Sequence, residues 1–406
     1  MLQRPARENV GCMSWRPHLT IAMQRFELIQ FALQPECNRR ELSRRFGLSR
    51  STLYKWLERF QREGLEGLSD RSRRPHHSPA KSESELEQSI IALHQRFPYW
   101  GARKLRQLLR HDDPSRLVPA VSTVATILKR HDCHVLTDAA PQAPFQRFSH
   151  QRPNQLWQMD FKGDFPLARG GRCFPLTILD DHSRFALLVR ACRALNRAQV
   201  QPALQSVFQR YGLPERILCD NAGPWGTSQP RARFTTLGVW LLRLGVDLTH
   251  GRPHHPQTQG KCERFHRTFK VELLNRTTLW RNLPHCQVEF DQWRHTYNHL
   301  RPHQALAMAA PASAYRPSLR PLPDTLPPIE YLPSDLVLRV KSKGEITFQN
   351  HFFFIGQAFS GLPVALRPTT HDGLFAVFFS FKQLGFVNLR AQLKNKFRYN
   401  SLLPSS

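Results

Sequence analysis

Three carboxylates stand out by position in a chain that has few of them. Asp160 lies in LWQMDF among apolar residues, and Asp220 closes the apolar run RILCD. Glu263 sits in GKCERFHRTFK. There Cys262, Phe265, Phe269 and Leu273 recur at i, i+3, i+7 and i+11, the spacing of one helical face. A carboxylate among apolar neighbours is costly unless a cation or hydrogen bonds satisfy it. Two strand-end Asp residues and a Glu from an adjoining helix could converge into a set of hard oxygen donors. Such a set suits Mg²⁺, with Mn²⁺ as a substitute. Two such ions about 3.5–4 Å apart activate the attacking oxygen and stabilise the leaving one in phosphodiester chemistry. His266, Arg267 and Lys270 are expected on the same helix face as Glu263, beside the core face.

The surrounding elements must position these groups. Residues 154–316 alternate strand and helix patterns. NQLWQMDFKGDFPL reads as a strand, and RCFPLTILDDHSRFALLVRAC reads as two strands turning near Asp181–His182–Ser183. A helix is expected at 197–211, with Val200, Ala203, Leu204, Val207, Phe208 and Tyr211 on one face. A short strand Arg216–Cys219, a helical VWLLRLG, a strand Val246–His250 and a helix from about 260 to 275 follow. The order βββαβαβα is that of a mixed α/β sheet flanked by helices. Asp180 and Asp181 fall at the hairpin turn, where turn chemistry or an ion pair with Arg184 accounts for them. Asp164 reads as a loop residue. His250, His254, His255 and Cys262 could be gathered as a zinc cluster, but the Pro/Gln/Gly loop and the lack of a paired Cys argue against it.

Upstream, residues 14–66 are helical. In RRELSRRFGLSRSTLYKWLERF, Leu42 and Phe46 share a face and Gly47 supplies a turn. Ser49 is an expected N-cap, and Leu53, Trp56, Leu57 and Phe60 keep helical spacing. That is a helix-turn-helix pattern, and its outer face carries Arg50, Ser51, Thr52, Tyr54 and Lys55, all able to donate to phosphates and base edges. Residues 82–134 repeat the theme. Leu105, Leu108 and Leu109 form a stripe, Ser122 is an expected cap, and Val124, Ile127 and Leu128 face inward. Arg103, Lys104, Arg106, Lys129 and Arg130 are expected outside, and of these Arg103, Lys104, Lys129 and Arg130 are expected to touch DNA. Pro-bearing linkers at 67–81 and 138–153 set these segments apart, and a Pro-dense stretch at 317–333 precedes residues 334–390. The last segment has short β-type runs with Gly breaks and reads as a small all-β barrel, made basic by Arg339, Lys341, Lys343 and Arg367.

Composition sets the partner. The 406 residues hold 58 Lys+Arg against 31 Asp+Glu, a formal net charge of +27. Such a surface attracts polyanions through counterion release, with nucleic acid the first expectation. No apolar stretch approaches about 18 residues, so no membrane partner is expected, and the N-terminus lacks the apolar core of a signal peptide. Eight scattered Cys without a CxxC pair fit the reducing cytosol.

WQMDFKG, CDNAGPW and HGRPHHPQTQGKCERFHRTFK resemble the three acidic blocks of DDE transposases and retroviral integrases. They are most similar to those of bacterial insertion-sequence transposases with an integrase-type core, and YNHLRPHQAL at 297–306 resembles the segment after the Glu helix there. The resemblance implies an RNase H-like fold for 154–316 and a metal-binding triad of Asp160, Asp220 and Glu263, with Asp160 bridging both ions. It implies DNA contacts from Lys261, Arg264, His266 and Lys270. It also implies cleavage at transposon ends to free a 3′-OH, transesterification into target DNA, and work as a homodimer or higher synaptic oligomer in the bacterial cytoplasm. MSWRPHLTIAMQRFEL resembles the family's usual beginning, which points to Met13 as the initiator. Two departures stand out. Ala222 replaces the usual Gly of the second block, and 42 residues separate Asp220 from Glu263, more than is usual, with the excess near Thr227–Thr236. A decayed, inactive DNA-binding regulator is the alternative. An RNase H-type or resolvase nuclease would leave the N-terminal helix-turn-helix modules unexplained.

Overall fold

The structure is a computed structural model and describes residues 20–71, 82–135, 150–220, 223–226, 234–250, 260–277, 279–390 and 400–401. Met13, Asn221, Ala222, most of the 227–236 stretch, His254 and His255 lie outside these. The chain divides into two compact units, residues 1–81 and 82–406.

In the first unit, α1 (Ile21–Ala32), α2 (Arg39–Arg45) and α3 (Arg50–Glu63) each begin at a capping side chain, Thr20, Asn38 and Ser49. These caps satisfy amides that the first helical turn leaves without partners. Leu28, Ile29, Leu42, Phe46, Leu53, Leu57 and Leu68 form the core. Gly47 makes the turn between α2 and α3 at φ +63°, a left-handed value that suits glycine. Arg50, Tyr54 and Lys55 are exposed as expected. The hydroxyls of Ser51 and Thr52 are turned back onto Ser49 Oγ (2.8 and 2.7 Å), so they serve the cap rather than an open face.

The second unit opens with α4 (Ser84–Arg96), α5 (Ala102–Asp112) and α6 (Val121–Arg130), packed through Ile90, Trp100, Leu105, Leu108, Val124 and Ile127. The expected cap at Ser122 is displaced. Helix α6 starts at Val121 with Ala120 as its uncapped N-terminal neighbour, and Ser122 lies inside the first turn. Arg103 and Lys129 are exposed. Arg130 is exposed too and pairs with buried Glu87 at 2.7 Å, while Arg106 is half-buried and donates to the Pro119 carbonyl at 2.6 Å.

A mixed sheet follows. Its strands are β1 (Leu156–Phe161), β2 (Phe165–Pro166), β3 (Arg172–Asp180), β4 (Ala186–Cys192), β5 (Arg216–Cys219) and β6 (Asp247–His250). The order is β2-β3-β1-β5-β6 with β4 on β3, antiparallel across β4-β3-β1 and parallel across β1-β5-β6. One face packs on α7 (Arg197–Tyr211) and α8 (Thr236–Arg243) through Trp157, Met159, Ile178, Leu204, Phe208 and Leu241. The other packs on α9 (Gly260–Phe269) and α10 (Leu283–His299) through Leu179, Val189, Phe265, Phe269, Phe290 and Trp293. The helix expected to run to 275 changes to a π turn at Lys270–Leu274. This three-layer arrangement is the RNase H-like core, flanked by helical N-terminal modules and an all-β C-terminal region.

The C-terminal region holds β7 (Leu336–Arg339), β8 (Glu345–Phe348), β9 (His351–Phe354), β10 (Pro363–Pro368), β11 (Leu374–Phe379), β12 (Lys382–Asn388) and β13 (Asn400–Ser401). Among the described residues these form a four-stranded sheet, β12-β11-β10-β7, and a three-stranded one, β13-β9-β8, rather than one closed barrel. Both share a core of Ile346, Phe353, Phe359, Val364, Val377 and Phe379, which also takes in Val239 and Leu242 of α8. Helix α8 is thus apolar on two sides and joins the β region to the sheet. Arg367 is held by Asp335 through two 2.8 Å bonds and lies over Phe378, so its charge is spent locally. No helix among the described residues is long and apolar enough to cross a membrane.

Candidate active site

The pleat of β1 decides which of its side chains do chemistry. Successive residues alternate faces. Trp157 and Met159 enter the α7/α8 core, so Gln158 and Asp160 point toward α9. Strand β3 pairs Thr177 opposite Asp160, on the same face. Strand β5 runs parallel to β1 with Leu218 beside Gln158; two residues further along, the two chains carry Asp220 and Asp160. Parallel pairing thus brings two acids to the same strand ends.

Asp160 is 27% exposed at its side chain. Its Oδ1 accepts from the Phe161 N–H at 2.8 Å. Burial, and then the charge of Asp220, push its carboxyl up to about 6; Glu263 adds to this, and Lys162 and the Phe161 amide oppose it. Asp220 Oδ1 accepts from Trp225 Nε1 at 2.5 Å. Trp225 is itself fixed by stacking on Phe161 at 5.3 Å. Glu263 is exposed in the first turn of α9. It shares an open cleft of about 420 Å³ with Lys162, His266, Arg267, Lys270 and Val271.

Three sequence expectations are corrected here. His266 was expected to face DNA, but it is 7% exposed. Its Nε2 lies 2.7 Å from Thr177 Oγ1, and its Nδ1 lies 3.7 Å from Asp160 Oδ2. Burial and the Lys162 charge hold the ring neutral, with its pKa down at about 3. The reason is geometric, since His266 follows Cys262 by four and therefore belongs to the helical stripe against the sheet. Lys261 was also assigned to DNA. Its Nζ reaches Asp181 Oδ2 at 2.6 Å and the Asp181 carbonyl at 3.1 Å. Lys104, expected outside α5, is half-buried over the Trp100 ring. Arg264 and Lys270 are exposed as expected.

Of the hairpin acids, Asp180 behaves as expected and Asp181 does not. Asp180 does turn chemistry, accepting from Ser183 N–H and from Asn154 N–H, each at 2.8 Å. Asp181 pairs with Lys261 rather than Arg184, and also takes His150 Nδ1 at 2.9 Å and Gln158 Nε2 at 2.8 Å. Burial alone would raise the Asp181 carboxyl, but the Lys261 and His150 bonds outweigh it and hold it below the usual range. Gln158 Oε1 in turn accepts the Cys262 N–H at 3.0 Å, so one buried amide ties the start of α9 to the sheet. Asp164 pairs with Arg172.

Gln158, Lys162, Thr177 and Trp225 were not singled out from sequence. The two-residue period of β1 could have flagged Gln158, since it shares the face of Asp160. Among the described residues, the ligand atoms of Asp160, Cys262 and His266 all lie within 4.8 Å of one another. Burial holds the Cys262 thiol in its protonated form, so it offers no hard anionic ligand, and the oxygen donors remain the carboxylates. Of the zinc grouping, His254 and His255 lie outside the described residues. His250 Nδ1 lies 2.8 Å from the Asp220 carbonyl, while Cys262 sits beside His266.

Comparison with known proteins follows the same layout. Residues 24–76 match the "Helix-turn-helix domain" model and 52–128 a "Homeodomain-like domain". Residues 150–256 and 244–311 each match an "Integrase core domain", and 335–395 match "IS481 family transposase, C-terminal domain". In this order along the chain, the matches are those of an insertion-sequence transposase with an integrase-type core, which the chain resembles from residue 24 to residue 395. It is 31% identical over 160 residues to an IS407 insertion-element protein of Burkholderia multivorans, covering 39% of this chain and 54% of that relative. It is 26% identical over 252 residues to an IS476 insertion-element protein of Xanthomonas euvesicatoria, covering 61% and 69% respectively. The chain thus spans about half the length of the first of these relatives. Among solved structures it is similar to a simian T-cell lymphotropic virus intasome chain, with 16% identity, TM-score 0.36, and coverage of 73% of this chain and 98% of that one. It is also similar to the HTLV-2 integrase catalytic core domain in complex with magnesium, with 16% identity, TM-score 0.32, and coverage of 41% and 99%.

Proposed function

We propose that this transposase binds the ends of its insertion element as a dimer or higher synaptic assembly, frees a 3′-OH there, and joins it to target DNA. Asp160, Asp220 and Glu263 are the proposed catalytic and metal-binding residues, holding two Mg²⁺ ions, with Mn²⁺ as a substitute. The observation that carries this reading is the placement of Asp160 beside Asp220 at paired strand ends, where burial first, then the charge of Asp220 and less that of Glu263, raise its carboxyl. Three hard-oxygen anions from a strand, a strand end and a helix need a divalent cation more than they need each other. When bound, such ions activate the attacking oxygen and stabilise the leaving one.

The chain's own groups do the positioning. The Trp225 N–H fixes the rotamer of Asp220 from one side. Neutral His266, braced by Thr177, backs Asp160 without competing for its charge. Lys162, Arg267 and Lys270 border the Glu263 cleft and would hold the phosphates that flank the scissile bond. Arg50, Tyr54 and Lys55 on α3, with Arg103 and Lys129 on the second helical module, are the proposed DNA-reading side chains.

The test uses duplex oligonucleotides that carry the element's ends, taken from the DNA flanking the gene. Glu263→Gln is expected to lower strand transfer on the order of 10³-fold or more, since several kcal/mol of transition-state stabilisation is lost. End binding is expected to survive. Equal loss of binding and joining would assign Glu263 to folding. Tight end binding by the unaltered protein without joining in Mg²⁺ or Mn²⁺ would leave the inactive regulator instead.

A further inference from the structure

Helix α9 presents two polar stripes. Glu263, Arg267 and Lys270 border the cleft described above. Gly260, Arg264 and Thr268 recur at i, i+4 and i+8, one step around the helix, and line a different cavity of about 170 Å³. Lys104 of α5, Arg184 of the β3–β4 turn, and Tyr297 and Arg301 at the end of α10 complete its walls. Among the described residues that line it, five are Lys or Arg (Lys104, Arg184, Lys261, Arg264 and Arg301), and none is Asp or Glu.

The acids nearest these cations are already engaged. Glu272 accepts from Arg301 Nε at 2.8 Å and Trp100 Nε1 at 3.2 Å, and Asp181 accepts Lys261. Lys104 has the Trp100 ring at 6.0 Å and feels the charge of Glu272, and among the described residues neither it nor Arg264 forms an ion pair with a carboxylate. The crowding shows in the ionisation of the neighbours. Burial, then the Arg301 charge, bring Lys104 down to about 7, and burial with Arg301 and Lys104 keeps His303 neutral, down at about 2. A concave, partly buried site that holds the Lys104 ammonium and the Arg264 guanidinium without an ion-paired carboxylate for either is one that an oxyanion completes. Arginine forks and a lysine point charge are the donors that phosphate recognition uses.

We propose that this cavity binds a phosphate group, supplied by the backbone of a DNA strand that runs along α9 on the stripe next to Glu263. The source of the phosphate rests on the transposase reading; the chemistry of the pocket does not. A free polyphosphate is the other source of the same chemistry, and the experiment separates the two.

Full-length protein is melted in chelator with and without millimolar inorganic pyrophosphate, and its binding to a short duplex of arbitrary sequence is followed against salt. Unaltered protein is expected to gain about 2–4 °C with pyrophosphate. The Lys104→Met/Arg264→Gln double variant is expected to gain nothing, and the slope of log K against log salt is expected to fall in magnitude by about 1. Arg264→Gln alone changes an exposed side chain and guards against misfolding of the double variant. Absence of any pyrophosphate shift in the unaltered protein overturns the pocket. A shift that the double variant loses, with the salt slope unchanged, overturns DNA as the source. Glu263→Gln is expected to keep both the shift and the slope, so failure of the catalytic reading leaves a separate signature.

Discussion

Two acids at the ends of neighbouring strands of one sheet, Asp181 and Asp160, are treated in opposite ways. Asp181, 1% exposed, has its charge answered by Lys261, His150 and Gln158. Asp160, more open, has one backbone amide, a neutral histidine and two further acids within electrostatic range. One carboxyl is held below its ordinary range and the other is raised to about 6. A protein that completes an acid internally uses it as a rivet. An acid left facing its own kind is reserved for something that arrives from outside.

The sharpest way to break this contrast is to neutralise each acid in turn. Asp181→Asn should cost about 3–5 kcal/mol, because Lys261 loses the anion it is buried against. Asp160→Asn should raise the melting temperature of metal-free protein at neutral pH and abolish any stabilisation by Mg²⁺. Thermal melts with and without the ion decide it; equal losses for both variants would erase the distinction.

A smaller effect is expected at His266. Its removal as His266→Ala should weaken apparent metal affinity by roughly 10–100-fold, as for groups that orient a ligand. End binding should hold, and His266→Gln should recover part of the loss by bonding Thr177. A uniform fall in stability without a shift in metal dependence would make the histidine structural.

The smallest effect is in pH. Unfolded Lys104 keeps its proton to about 10.5, and folded Lys104 loses it near 7. Between these values the folded state binds fewer protons, so stability should rise with pH from about 7 upward and lose that gain as pH falls back through 7. Lys104→Met should flatten this part of the profile, and melts across pH measure it.

Much of this was legible in the residues. The helical stripe of Cys262, Phe265, Phe269 and Leu273 is buried as its spacing says, and β1, β3, β4 and β5 lie where the apolar runs put them. Local periodicity located the acids. It could not reveal which cations would meet them, because Lys261 and Asp181 are 80 positions apart and their contact depends on how α9 docks. Position i+4 from Cys262 falls inside the buried stripe, which is why His266 faces the sheet rather than DNA. The two-sheet C-terminal core was hidden for a related reason: α8 contributes Val239 and Leu242 to it from far upstream.

Glu272 carries a further consequence. Set inward by the π turn that ends the Glu263 helix, it accepts from Trp100 in the helical module and from Arg301 beyond α10. Leu300 joins the same helical core. The second helical module and the catalytic sheet are therefore not interchangeable cassettes. Exchanging the helical module alone would separate the Trp100 indole from the carboxylate that accepts its N–H, and Leu300 from the helical core it joins.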